Sequence, residues 1–369
     1  MPSVTVMLKP ASGLCNLNCK YCFYKDEAEN REKFSYGLMT PDVQEAVIKR
    51  VLAYAEESCT VVFQGGEPTL AGLDFYRRIV ELEKKWNINN VTVHNSIQTN
   101  GCLIDDSWAK FFAENHFLVG ISLDGPKEIH NLNRIDNAGS GTYSRVMHSI
   151  RLLNKYKVEI NVLTVITAAV GKKIRKIYGF YDRNGLKYQQ YIPCFDPIGE
   201  ERGNHSFSLT ADIYEQCLKT LFDLWYEDFI SGKRISIRYF DNLLLMMRGY
   251  WPEACGMSGI CGRQYVIEAD GSVYPCDFYV LDQWKLGNFV TNSFENIEKK
   301  RSELQFIKAS EAMNSDCLSC KWKNLCCGGC RRDREQLRGR TLGKNYYCSA
   351  YYHFFEYVYP RLYQISRMC

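Results

Sequence analysis

No stretch of this chain is long and apolar enough to cross a bilayer. The most apolar uncharged run, Ile160 to Val170, falls well short of the ~20 residues that a spanning helix needs. A signal peptide is not expected, because Lys9 and Pro10 interrupt the first apolar run and no small-residue cleavage site follows. A strong charge of one sign is also missing. The formal net charge is +4, and the longest basic run is only Lys299-Lys300-Arg301, the pattern of a solvated helix face. Binding to nucleic acid or to a membrane surface by charge alone is therefore not suggested. There are no low-complexity tracts, and no internal repeat beyond an alternation of strand-like and helix-like segments. With 46% hydrophobic and 24% charged residues over 369 positions, the composition is that of an ordinary globular protein of roughly two domains. The expected compartment is the cytoplasm.

What the chain has in excess is cysteine, 17 in all. Disulfides are a poor account of so many in a cytosolic protein, where thiols are kept reduced, and metal is a better one. Cys59, Cys102, Cys194, Cys217 and Cys369 are solitary and read as small buried or surface thiols. Three others stand as Cys15-x3-Cys19-x2-Cys22 in a polar loop after the strand-like segment Val4–Leu8. That loop again lacks something. A closed structural zinc site needs four ligands, and no fourth Cys or His lies in the loop. Soft thiolates also suit Cu(I) or iron–sulfur iron, and three of them on a [4Fe-4S] cube would leave one iron open to a small molecule. Packing residues, a disulfide with a spare thiol, and a zinc site completed from elsewhere are the alternatives. The remaining nine run from Cys255 to Cys348, as Cys255-x5-Cys261-x14-Cys276 and Cys317-x2-Cys320-x5-Cys326-x3-Cys330-x17-Cys348, with Cys327 as an extra. Eight make two full sets of four, the number two further [4Fe-4S] clusters require, although zinc ribbons also use C-x2-C.

The front of the chain alternates. β-branched or apolar runs at Val4–Leu8, Thr60–Phe63, Val91–Ile97, Phe117–Leu123, Glu159–Ile166 and Tyr188–Ile192 are separated by segments of helical period. Those segments are Val43–Glu56, Leu73–Trp86, Ser107–Asn115, Tyr143–Lys155 and Ile174–Asn184, with a further helix at Ile213–Phe229 and a strand at Ile235–Tyr239. Such alternation predicts βαβ units and a parallel sheet. Six or so repeats are too few for an eight-fold barrel, so a partial (β/α)6 barrel is expected. Beyond it, Gln264–Pro275 alternates about Asp270-Gly271, a hairpin signal. Asn292–Lys308 and Ala350–Ser366 read as helices. A domain boundary is expected between about 235 and 255, giving domains 1–240 and 241–369.

Ligands of parallel α/β folds bind at the carboxyl ends of the strands, and polar motifs fall there. Gln64-Gly65-Gly66-Glu67-Pro68 follows the second strand, Gln98-Thr99-Asn100-Gly101 the third, and Ser122-Leu123-Asp124-Gly125 the fourth. His130, read as a structural loop residue, and Arg134 come just after.

The Cys15–Cys19–Cys22 spacing with Tyr21 and Phe23 about its last cysteine, and the GG-E-P segment behind it, resemble the radical S-adenosylmethionine (radical SAM) enzymes. In that family SAM chelates the open iron and is split to a 5′-deoxyadenosyl radical. The resemblance implies SAM contacts from Tyr21, Gly66, Ser122, Arg134 and Phe195. The back half resembles the SPASM domain, which implies one auxiliary cluster on Cys255, Cys261, Cys276 and Cys330 and another on Cys317, Cys320, Cys326 and Cys348, with Cys327 a spectator. The expected fold class is thus α/β, a partial (β/α)6 TIM-like radical SAM barrel followed by a cysteine-rich SPASM domain.

Gln64–Gly72, Leu118–Arg134, Leu221–Asp228, Arg238–Asp241 and Asp270–Leu281 look like the anaerobic sulfatase-maturating enzymes, along essentially the whole chain. That resemblance implies oxidation of a Cys or Ser in a sulfatase to Cα-formylglycine without oxygen. It also implies three [4Fe-4S] clusters, an unfolded sulfatase segment as partner, and an external electron donor such as flavodoxin or ferredoxin. Asp277, directly after Cys276, is the expected general base; a turn carboxylate bonded to backbone N–H groups is its blander reading. Tyr24 and Gln64 are candidates for touching the peptide. The rival readings are a SPASM enzyme installing a thioether or carbon–carbon crosslink in a ribosomal peptide, a non-enzymatic iron–sulfur or zinc scaffold, and a SAM-dependent regulator.

Overall fold

The structure, a computed structural model, describes residues 3–335 and 342–368; Cys369 lies outside them. Ten strands follow in chain order: β1 (Val4–Leu8), β2 (Ser58–Phe63), β3 (Thr92–Thr99), β4 (Leu118–Ser122), β5 (Ile160–Ile166), β6 (Tyr188–Pro193), β7 (Ser236–Ile237), β8 (Tyr265–Ile267), β9 (Ser272–Tyr274) and β10 (Gly287–Asn288). The chain forms two compact units. One comprises 1–122, 134–160 and 263–305; the other comprises 123–133, 161–262 and 306–369.

In the first unit the strand order is β10-β9-β8-β1-β2-β3-β4. β1 to β4 are mutually parallel, as the alternation predicts, with Val4 opposite Cys59 and Leu8 opposite Phe63. Their connections are the helices Pro41–Tyr54, Leu73–Trp86 and Asp106–Glu114. The starts of two of these helices are encoded locally: Thr40 accepts from the Val43 N–H ahead of Pro41, and Asp105 accepts from the Trp108 N–H. Phe75, Tyr76, Ile79 and Leu82 recur at helical spacing and are buried, the stripe that docks a helix on a sheet. The hairpin forms at Asp270-Gly271, with Gly271 at φ +86°. Its first strand, β8, pairs parallel with β1, Leu8 lying opposite Ile267. The last segment of the unit, 263–305, is therefore stitched to its first strand.

In the second unit β5, β6 and β7 are parallel in that order, joined by helices that include Ile174–Arg183 and Ala211–Ile230. Its final helix, Cys348–Ser366, packs on Ala211–Ile230 through an aromatic cluster in which Phe354 meets Phe222 and Phe240.

Three local expectations are corrected. The strand at Ile235–Tyr239 is only Ser236–Ile237, and the chain turns at once into a helix, Arg238–Met247, whose apolar face is buried at Phe240 and Leu243. The helix over Asn292–Lys308 breaks into Phe294–Leu304 and Phe306–Ser310, because Gln305 adopts φ 53°. His130 is on a helix, Lys127–Asn133, and fully buried, with Nδ1 accepting the Asp124 N–H. Among the described residues, no helix is long and apolar enough to cross a membrane.

Candidate active site

The loop after β1 is held by backbone bonds to the loop after β2. Gly66 N–H donates to Ser12 O at 2.9 Å, and Glu67 N–H to Leu14 O at 2.8 Å. A Cβ on Gly66 would lie 1.9 Å from the Leu14 carbonyl oxygen, so only glycine lets the two loops approach this closely. Glu67, fully buried, organises the strand ends. It accepts from Thr69 N–H (3.0 Å), Thr69 Oγ1 (2.5 Å), Thr99 Oγ1 (2.7 Å) and Asn100 N–H (2.8 Å). Asn100 then reaches back with Nδ2 to Asn16 Oδ1 at 2.7 Å and to Cys15 Sγ at 3.9 Å. The three expected motifs, after β1, β2 and β3, thus form one hydrogen-bonded assembly.

Cys15, Cys19 and Cys22 are half-buried along the first loop. Burial pushes the Cys15 thiol up to about 12, and Glu67, Cys19 and Cys22 add to the rise. Cys22 is raised by burial and eased by Lys25 and Arg134. Arg134 is itself buried, with its guanidinium 5.4 Å from the centroid of the Tyr21 ring. Among the described residues, no three His, Cys, Asp or Glu side chains converge on a point for a single metal ion. A cube asks something different of its ligands, since each thiolate takes a separate iron. The donor set fits such a group: soft thiols crowded into one loop, whose thiolates suit iron–sulfur iron. Ser122 closes β4 and is half-buried. Phe195, in the second unit, has the guanidinium groups of Arg202 and Arg332 at 6.0 and 5.7 Å from its ring centroid.

The second unit gathers cysteines twice. Cys317, Cys320, Cys326 and Cys348 line one cavity of about 190 Å³ with Trp322 and Lys344. Burial pushes Cys326 up to about 12, and Cys348 and Cys317 contribute. Cys327 stands outside the lining of that cavity among the described residues, and its Sγ donates to Asn324 O. Cys330 is half-buried, and its thiol is raised by burial, with Asp333, Cys255 and Cys261 contributing. A Cβ at Gly256 would touch the Cys330 Cβ at 3.4 Å. Cys276 belongs to the first unit, at the end of β9.

Asp277 follows Cys276 and is 8% exposed. Each carboxylate oxygen has a donor: Lys9 Nζ to Oδ1 at 2.5 Å, and Gln64 Nε2 to Oδ2 at 2.7 Å. Lys9 is completely buried, 3.7 Å from the centroid of the Tyr24 ring. The Tyr24 hydroxyl donates to Glu268 Oε1, which also accepts from Arg31 Nη1 at 2.6 Å. Burial first, and then the Glu268 charge, holds the Tyr24 phenol well above its ordinary range. Sequence reasoning singled out Asp277, Gln64 and Tyr24. It missed Lys9, Glu268 and Arg31. For Lys9 the available signal was a cation at the carboxyl end of a buried strand, inside the same stretch as the cysteines.

A parallel α/β chain whose first loop collects three cysteines, with further cysteine groups behind it, defines a class, and comparison with known proteins agrees. Residues 10–179 match the radical SAM superfamily, and residues 255–321 match an iron–sulfur cluster-binding domain, SPASM. A cysteine-type anaerobic sulfatase-maturating enzyme of Clostridium perfringens is 50% identical, over 99% of this chain and 99% of its own. A serine-type anaerobic sulfatase-maturating enzyme of Bacteroides thetaiotaomicron is 31% identical, over 96% of this chain and 89% of its own. The solved structure of native anSMEcpe with bound AdoMet and Kp18Cys peptide superposes with a TM-score of 0.96 at 48% identity, covering all of both chains. Streptococcus suis SuiB bound to precursor peptide SuiA shares the fold, with a TM-score of 0.67 at 16% identity over 94% of this chain and 76% of its own. The chain belongs to the anaerobic sulfatase-maturating enzymes, within the radical SAM superfamily.

Proposed function

We propose that this protein oxidises the active-site Cys of a sulfatase to Cα-formylglycine, with Asp277 as the base. The observation that carries the proposal is a buried carboxylate held by Lys9 and Gln64 at the ends of β1 and β2, where the cysteine loop begins. Cys rather than Ser is favoured because the cysteine-type relatives are 47–50% identical and the serine-type ones 28–31%.

Cys15, Cys19 and Cys22 would hold one cluster, with SAM contacted by Tyr21, Gly66, Ser122, Arg134 and Phe195. Two further clusters would take Cys255, Cys261, Cys276 and Cys330, and Cys317, Cys320, Cys326 and Cys348, within a division into 1–240 and 241–369. When bound, these groups supply a 5′-deoxyadenosyl radical that takes a Cβ hydrogen atom, and an acceptor for the electron the substrate then gives up. Asp277 accepts the thiol proton, completing the loss of one hydrogen atom, one proton and one electron. Water converts the resulting thioaldehyde to the aldehyde, and sulfur leaves as hydrogen sulfide. The Glu67 assembly keeps the strand-end loops in register, and orientation of this kind is the protein's main contribution when a cofactor does the hard step. An extended sulfatase segment as substrate, flavodoxin or ferredoxin as reductant, and a cytoplasmic location complete the proposal.

The test is anaerobic: reconstituted protein, reductant, SAM and a short sulfatase peptide, read by mass spectrometry. The Cys peptide should gain an aldehyde, and Asp277→Asn should keep 5′-deoxyadenosine release while losing formylglycine by roughly 10²–10⁴-fold. Near-normal product from that variant would refute the base. A crosslinked or thioether product would favour the ribosomal-peptide reading instead.

A further inference from the structure

Lys9 and Asp277 are 268 residues apart in sequence and are brought together by two successive strand pairings. Leu8 lies opposite Ile267 where β1 runs beside β8, and the Lys9 N–H donates to Ile267 O at 2.8 Å. β8 pairs with β9, Val266 opposite Tyr274, and three residues further along the chain is Asp277. Backbone ladders thus set the spacing, and the lysine side chain spans what remains. It does so away from bulk solvent: Lys9 is 0% exposed, and its ammonium is bracketed by Asp277 Oδ1 and the face of Tyr24. Tyr24 cannot swing away, because its hydroxyl is tied to Glu268, whose other oxygen accepts the Ala269 N–H.

A buried ammonium is costly unless it is paired, so a lysine here calls for more than space filling. A carboxylate offers about four lone-pair positions. Lys9 and Gln64 occupy one on each oxygen, which stops the carboxylate turning and leaves the remaining positions pointing in fixed directions. We infer that Lys9 is a positioning residue for the reaction: it aims the Asp277 carboxylate, with the Tyr24 ring as its seat, and acts only through Asp277. The inference rests on the base assigned to Asp277 above.

The test compares wild type, Lys9→Met, Lys9→Arg, Asp277→Asn and the double variant Lys9→Met/Asp277→Asn. Each is measured for iron content, 5′-deoxyadenosine release and formylglycine. Lys9→Met should release 5′-deoxyadenosine within about twofold of wild type, the usual error of additivity. Its formylglycine should fall by about 10²-fold, the cost of a misplaced reacting group. Lys9→Arg, which keeps the charge, should recover a large part of that loss. In the Asp277→Asn background, Lys9→Met should change formylglycine by no more than about twofold. A further large loss in the double variant overturns the inference, as does a parallel loss of 5′-deoxyadenosine in Lys9→Met. Should Lys9→Met alone fail to hold iron because a buried carboxylate is left unpaired, the comparison of Asp277→Asn with the double variant decides, since neither contains that charge. A double variant that loses iron where Asp277→Asn keeps it marks Lys9 as merely structural. Normal formylglycine from Asp277→Asn sinks the base itself. Normal formylglycine from Lys9→Met beside an inactive Asp277→Asn sinks only this inference.

Discussion

Gly66→Ala tests how the first two strand-end loops are joined. The added Cβ would sit 1.9 Å from Leu14 O, against the 3.0 Å below which real Cβ contacts essentially never fall. Both partners are backbone, so no side chain can rotate out of the way. The φ of Gly66 is not positive, so the penalty is steric rather than conformational. The loops must part by about 1 Å, and the bonds Gly66 N–H to Ser12 O and Glu67 N–H to Leu14 O are lost or stretched. At ~0.5–1.5 kcal/mol each, that removes ~1–3 kcal/mol from the assembly. A displacement of ~1 Å at a reacting centre costs on the order of 10²-fold in rate. A global unfolding midpoint is a poor readout for a large protein with bound clusters. The assay should read the site, as 5′-deoxyadenosine released per minute with iron content measured on the same sample. The expected result is a ten- to hundredfold loss of release, roughly the range set by a displacement of that size. Gly179→Ala is the control. It lies inside the helix Ile174–Arg183, where a Cβ meets only the far end of the Arg183 side chain, Nη1 at 3.3 Å. Alanine should raise stability there by ~0.5–1 kcal/mol and leave release unchanged. Full release from Gly66→Ala with full iron would refute the reasoning.

Replacing Cys15, Cys19 and Cys22 together with Ala should abolish 5′-deoxyadenosine formation and leave about 8 of roughly 12 irons per chain, two four-iron clusters of three. Loss of all iron, or continued cleavage of SAM, would count against the ligand assignment. Glu83 offers a pH test away from the site. Burial raises its carboxyl from 4.5 to about 7, and Oε1 has no hydrogen-bond partner among the described residues. The folded state therefore holds its proton more tightly than the unfolded state does. Its contribution is full below about 4.5 and is lost as pH rises through about 7, a swing of ~3 kcal/mol. Glu83→Gln should flatten that part of the pH dependence of amide hydrogen-exchange protection in the helix Leu73–Trp86, and an unchanged profile would exclude Glu83 as its source.

The class of chemistry was legible in the chain because its carriers are local. Cys15, Cys19 and Cys22 lie within one loop, Gln64–Pro68 within another, and both follow runs whose β-branched composition marks them as strands. The helices Pro41–Tyr54 and Asp106–Glu114 were legible from the period of their residues, but that reading started them at Val43 and Ser107 and passed over Thr40 and Asp105, the caps that set their true beginnings. The helix Arg238–Met247 was hidden because an apolar aromatic run suits a strand or a buried helix equally, and only its packing chooses. The surroundings of Asp277 were out of reach altogether. Nothing near residue 277 says that β8 will pair with β1, and that pairing, with those of β2 on β1 and β9 on β8, brings Lys9 and Gln64 to its two oxygens. The sequence by itself determined which atoms can carry iron and a radical reaction, since thiolate chemistry belongs to the residue type. The tertiary structure decided which buried charge meets which, because a lysine is stable without water only where long-range strand pairing supplies a carboxylate within hydrogen-bond reach.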